Sequence, residues 1–316
     1  MEGIARFTAP EQSAGYGWRQ TTLKSSIGCT GIGVHSGLTI NLTIRPADIN
    51  AGIVFLRTDI DRRIEARFDN VIDTKLCTVV ADPDDASIRV GTVEHIMAAL
   101  SGAGIDNAII ELDGPEVPIL DGSASPFLFL LDCAGTVEQD APRQIIQVRR
   151  TIRVTEGDAW AELRPLGIAT RTTGAALEMD LSIDFTAEAI GRQSCSLRLT
   201  PDSFRTRLAE ARTFALACDI EHLKAAGLAR GGSLDNALVV DGSTVLNPGG
   251  LRMANEFASH KLLDAVGDLA LAGGRLHARF VAHRTGHALN NRLLRALFAD
   301  PAASQPTETD PLTVAA

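Results

Sequence analysis

EFASHKLLDAVGDLALAGG, residues 256–274, is the stretch on which the fold turns. Leu262, Leu263, Val266 and Leu269 recur at helical spacing. Gly273-Gly274 stops the pattern and Leu276–Ala282 follows as a strand. A helix over Glu256–Ala272, the longest in the chain, is predicted. It carries His260, Asp264 and Asp268 at successive i,i+4 steps on the stripe opposite the apolar residues. An imidazole and a carboxylate so placed can grip one metal ion. The same spacing equally suits a solvated helix face with weak i,i+4 pairs.

Outward from this helix, two halves show one rhythm. In the first, Thr39–Ile44 alternates as a strand, Gly52–Leu56 is a short apolar strand, and 92–104 (TVEHIMAALSGAG) reads as a helix ended by Gly102 and Gly104. Asn107–Leu112 reads as a strand, and 125–135 as a helix with Ser125 as N-cap and Pro126 at its first position. The second half repeats strands at Ile145–Val154 and Leu177–Phe185. A helix begins at Thr200-Pro201 and a last one covers about 288–299. The pattern suggests a duplicated α+β unit joined near Pro142–Ile146. Residues 1–19 read as a loose leader and 301–316, rich in Pro, Ser, Thr and Ala, as a flexible tail.

With 316 residues, 45% hydrophobic and 22% charged, the chain is expected to be globular and large enough for two domains. Its net charge of −9 disfavours binding nucleic acid by phosphate neutralisation. Cys29, Cys77, Cys133, Cys195 and Cys218 are scattered and form no CxxC pair. A reducing compartment is therefore expected, without a disulfide framework or thiolate metal site. No signal-peptide pattern and no membrane-length apolar run is visible, so a cytoplasmic location is expected.

Other residues able to carry chemistry are ambiguous alone. Adjacent Glu94-His95 can supply a general base and a metal ligand, but the HExxH pattern is missing and a capping or surface role fits as well. His283 and His287 are four apart, yet Thr285-Gly286 disfavours a helix between them. His287 suits a general acid or cationic stabiliser, or a histidine bonded in a turn. His35, in a glycine-rich turn, can visit a metal or pack, while His222 and His277 read as surface residues. The segment 28–37 (GCTGIGVHSG) is no phosphate loop, and 113–127, with Asp113, Glu116 and Asp121, reads as a structured loop rather than a second acidic site.

Together, TLKSSIGCTGIGVHSG, TVEHIMAAL, GIDNAIIELDGPEVPILDGSASPF, EARTF, GGSLDNALVV, EFASHKLLDAVGDL and TGHALNN resemble, in order and over roughly residues 20–298, the UDP-3-O-acyl-N-acetylglucosamine deacetylases. The resemblance implies two α+β domains, 20–141 and 142–300, each a β-α-α-β sandwich with the helices packed between the sheets. It implies hydrolysis of the 2-acetamido group of a UDP-linked, 3-O-acylated N-acetylglucosamine on the way to lipid A, by a monomer that holds Zn2+. By resemblance, His95, His260 and Asp264 are the zinc ligands, Glu94 the general base and His287 the oxyanion stabiliser or acid. Asp268 orients His287, Thr213 donates to the tetrahedral oxygen and Lys261 holds substrate. An insert near 214–228 forms the acyl groove, with Phe214, Leu216, Ile220 and Leu223 suited to line it and Phe185 as a further substrate contact.

Two positions depart from the family pattern. Leu216 stands where many relatives carry an aromatic residue. Ala159, beside Trp160, stands where some have a nucleotide-contacting lysine, for which Arg284 is the candidate substitute. Competing readings are a zinc amidohydrolase acting on an N-acetyl sugar without the lipid, and a non-catalytic docking protein.

Overall fold

A computed structural model describes residues 17–167 and 175–307. The ends expected to be loose lie largely outside these residues, at 1–16 and 308–316.

Two β-α-α-β sandwiches make up the chain. In the first, a five-stranded sheet runs in the order Ile27–Ile32, Thr39–Pro46, Ala108–Leu112, Ile53–Arg57, Arg62–Glu65. Only Ile53–Arg57 and Ala108–Leu112 pair in parallel. Alternation along Thr39–Pro46 buries Ile40, Leu42 and Ile44 beneath two helices, α1 (Glu94–Ala103) and α2 (Ser125–Ala134). Gly104, at φ 83°, ends α1 in the left-handed conformation that glycine adopts without strain. The expected cap of α2 shifts by one residue: Ala124 is the N-cap and Ser125 lies within the first turn.

The second sandwich is built on Arg275–His283, which pairs antiparallel with Ala159–Arg164, parallel with Leu177–Asp184 and, at its start, parallel with Ile145–Val148. Its helices in chain order are α3 (Pro201–Arg207), α4 (Ala217–Ala225), α5 (Glu256–Ala270) and α6 (His287–Ala299). Thr200 and Ser203 cap α3 reciprocally, each side chain bonding the other's backbone N–H. The single strand expected over 145–154 is broken into Ile145–Val148 and Ile152–Glu156. The expected tail also needs correction. Ser304–Thr307 forms a strand antiparallel to Ile145–Val148, where backbone pairing overrides a composition that reads as disordered.

At the centre α1 packs on α5, with α2 beside α1 and α6 beside α5. The approach is closest at Gly267, where an added Cβ would lie 2.0 Å from the Glu94 carbonyl oxygen. Two small sheets flank this seam. Val71–Asp73, Val79–Ala81 and Arg89–Val90 form one, and Phe214–Leu216, Leu238–Asp241 and Thr244–Val245 form the other. With so few aromatic residues, the core is mostly aliphatic and pinned by fully buried Phe55, Phe127, Phe204, Phe257 and Phe280. Among the described residues no helix is long and apolar enough to cross a membrane.

Candidate metal centre and active site

The polar stripe of α5 is not a solvated face. His260, Asp264 and Asp268 are buried, because α1 and α6 close over them. His95, in the first turn of α1, completes a buried trio whose donor atoms all lie within 4.8 Å of one another. Asp264 Oδ1 is 3.3 Å from His260 Nε2 and 3.6 Å from His95 Nε2. This oxygen is buried without a hydrogen-bond partner, a costly state unless a cation meets it.

His260 Nδ1 faces the Ala211 carbonyl at 3.0 Å, which favours a proton on Nδ1 and leaves Nε2 free as a donor to metal. Burial, helped by His95 and Lys261, pulls the His260 pKa down to about 4, so the ring is neutral as a ligand must be. Burial opposes ionisation of Asp264, but the Lys261 ammonium against it and the neighbouring imidazole N–H groups outweigh it and hold the carboxyl well below its ordinary range. Two imidazoles and a carboxylate leave a fourth position open, the pattern of catalytic rather than structural sites. The trio thus fits a divalent ion.

Around it stand the other predicted residues. Glu94 is buried, which raises its pKa, and its Oε2 accepts the Thr78 backbone N–H at 3.0 Å. His287 opens α6, with Nδ1 2.9 Å from Asp268 Oδ2. Burial alone would lower its pKa, yet the Asp268 carboxylate prevails and lifts it to about 9. Asp268 also accepts from Asn290 Nδ2 at 2.8 Å and from the Thr78 hydroxyl at 2.6 Å. Lys261 Nζ reaches Asp264 Oδ2 at 2.5 Å. Its pKa is raised although burial opposes, because Asp264 lies against it. Thr213 is held by its backbone between Gly122 and Leu238 and lines the cavity that opens from the trio.

That cavity, about 760 Å³, runs from the trio along an apolar wall. Phe214, Leu216, Ile220, Leu223 and Phe185 all line it. Phe214 packs edge-on to Phe185 at 5.5 Å and to Phe257 at 5.0 Å, so it is fixed between the groove and α5. Arg284 is outside this lining: it is exposed, at φ 53°, on the turn after Arg275–His283. Trp160 pairs with His283 as the last pair of this ladder, so Ala159 and Arg284 each lie one residue beyond it.

Several residues were missed by sequence reasoning. Thr78 lies in no motif, and Thr92 and Asn290, though inside TVEHIMAAL and TGHALNN, were assigned no role. Thr92, at φ 56°, is a β-branched residue in a left-handed conformation two residues before Glu94, and its hydroxyl donates to Glu116. Glu116 also accepts the backbone N–H groups of His35 and Ser36, so 113–127 is a structured loop that ties the glycine-rich turn to α1. His35 lines the cavity but is not part of the trio. His277 is a correction: it is buried, and its Nδ1 accepts from the Ala176 N–H. His222 is exposed as expected. Cys77 borders the cavity, burial pushes its thiol up to about 12, and it stands outside the metal trio.

Fold and site together define a two-sandwich α+β protein with a buried His-His-Asp group able to hold a metal ion and an apolar cavity leading to it. Residues 20–299 match the family model for UDP-3-O-acyl N-acetylglycosamine deacetylase. Proteins called UDP-3-O-acyl-N-acetylglucosamine deacetylase are similar throughout. That of Tolumonas auensis is 47% identical, covering 90% of this chain and 91% of its own. That of Actinobacillus pleuropneumoniae is 45% identical, covering 89% and 90%. That of Mannheimia succiniciproducens is 47% identical, covering 90% and 92%. The chain belongs to the UDP-3-O-acyl N-acetylglycosamine deacetylase family.

Proposed function

We propose that this protein hydrolyses the 2-acetamido group of UDP-3-O-(3-hydroxyacyl)-N-acetylglucosamine, releasing acetate, as the committed step of lipid A synthesis, and that it does so with zinc in the cytoplasm as a monomer. The observation that carries this reading is the buried convergence of His95, His260 and Asp264 beside Glu94 and His287, at the head of an apolar cavity.

His95, His260 and Asp264 would hold the ion. When bound, a divalent zinc ion lowers the pKa of its water toward neutrality and polarises the amide oxygen. Glu94 takes the proton of the attacking water; its raised pKa suits a base that must later give that proton up. Thr213 donates a hydrogen bond toward the oxygen on which negative charge develops. His287, kept cationic by Asp268, stabilises that charge and protonates the departing amine. Lys261 holds substrate while neutralising Asp264. The segment 214–228 and Phe185 receive the acyl chain. Arg284, one residue beyond the Trp160–His283 pair as Ala159 is, meets the nucleotide in place of the family's lysine. In this reading residues 20–141 and 142–300 are the two domains, and the active site needs both.

The test is acetate release from the UDP-linked sugar with and without its 3-O-acyl chain, alongside the metal content of the same preparation. A strong preference for the acylated substrate by a one-to-one zinc protein is expected. Equal rates on both substrates would reassign the enzyme to simple N-acetyl sugars.

A further inference from the structure

One residue without a role in the reaction above touches both of its proton-transferring systems. Thr78 lies just ahead of Val79–Ala81 in the first sandwich and is 1% exposed. Its backbone N–H donates to Glu94 Oε2 at 3.0 Å. Its hydroxyl donates to Asp268 Oδ1, across the seam on α5, at 2.6 Å. Its carbonyl accepts from Val93 at 3.3 Å, directly before α1. A carboxylate rotates freely unless its lone pairs are taken up. On Asp268, the Thr78 hydroxyl occupies Oδ1, Asn290 occupies Oδ2, and His287 Nδ1 bridges the pair at 3.2 and 2.9 Å. Asn290 is itself held by the Thr285 hydroxyl at 2.8 Å.

We infer that Thr78 is a positioning residue: its amide sets the Glu94 carboxylate and its hydroxyl sets Asp268, and through Asp268 the His287 ring, so that base and acid keep one mutual geometry across the two sandwiches. The inference rests on the roles given above to Glu94 and His287. A buried carboxylate loses a strong, charge-assisted hydrogen bond when the hydroxyl goes, and the ring it supports loses its fixed orientation. The backbone contact to Glu94 survives any substitution, so a side-chain change reports on the Asp268 arm alone.

The test compares Thr78→Val, nearly isosteric but without the hydroxyl, and Thr78→Ser, which keeps it. Each is made in the wild-type and Asp268→Ala backgrounds, with kcat, KM, bound zinc and melting temperature read for all. Partners that orient groups at a metal site typically cost about 10–100-fold when removed. Thr78→Val is expected to lower kcat in that range with KM within about twofold and zinc unchanged. Thr78→Ser should recover most of the loss, and in the Asp268→Ala background Thr78→Val should have almost no further effect. Wild-type kcat in Thr78→Val overturns the inference, as does an equal loss in both backgrounds, which marks a packing role. If Thr78→Val does not fold, a Thr78→Ser enzyme as slow as Asp268→Ala overturns it as well. A wild-type protein that releases no acetate would instead remove the functional reading beneath it.

Discussion

Gly267 and Glu94 meet backbone to backbone: a methyl group on Gly267 would fall 2.0 Å from the Glu94 carbonyl oxygen and 2.8 Å from its carbonyl carbon. The helix bearing two of the three candidate ligands is thus pressed against the first residue of the helix bearing the third. Backbone cannot yield as a flexible side chain can. Gly267→Ala is expected to push α5 from α1, lowering stability by about 1–3 kcal/mol and weakening zinc binding. Thermal unfolding with and without zinc measures both, and an unchanged melting curve would contradict this account of the seam.

Asp264→Ala removes the only carboxylate of the trio and leaves two imidazoles. The purified variant is expected to hold little zinc and to be inactive. Wild-type enzyme stripped by a chelator should regain activity on zinc addition, whereas the variant should not. Full zinc occupancy in Asp264→Ala would count against the ligand set. For the same reason hydroxamates, which chelate at an open coordination position, should inhibit the wild-type enzyme.

Glu94→Gln keeps shape and loses basicity. Turnover should fall by about 10²–10⁴-fold, the usual worth of a general base, while zinc content stays at the wild-type value. Near-normal turnover would assign the proton transfer elsewhere.

His287 sets an alkaline limit. Its folded pKa, about 9, lies above the ordinary 6.5, so the ring is cationic at neutral pH. The sign follows: the stability contributed by its pairing with Asp268 is fully present below 6.5 and is lost as pH rises through about 9. Activity that needs the imidazolium should fall over the same upper range. Asp268→Asn removes the charge that outweighs burial and should move that descending limb to lower pH. A pH profile of kcat/KM for both proteins decides the matter; coincident alkaline limbs would exclude His287 as the acid.

Arg284→Ala should raise KM for the UDP-linked substrate several-fold and leave kcat within about twofold, since a contact remote from the amide contributes equally to ground and transition states. A matching fall in kcat would place Arg284 in the chemistry instead.

Much of this was legible in the chain. The period of 256–270 and the glycines at 273–274 gave α5 within two residues of its end. What the period alone could not decide was whether the His260–Asp264–Asp268 stripe met water or protein, because i,i+4 pairs look alike in both settings. The long motifs, through their family resemblance, resolved it. His277 was misread because it sits on the outer parity of its strand, where its burial and the Ala176 N–H on its Nδ1 do not show in the period. Thr78 was invisible because its decisive partner is 190 positions away. Ser304–Thr307 was hidden because a Pro- and Ser-containing strand joins its sheet through backbone groups, which composition does not report.

The candidate trio is divided, His95 on α1 and His260 with Asp264 on α5, so on the proposed reading the metal site exists only once both halves of the chain are made. A nascent chain that has folded only its first sandwich has Glu94 but only one member of the trio, His95. On that reading competence depends on the docking of α5 against α1, and a chain lacking it is expected to be silent rather than partly active.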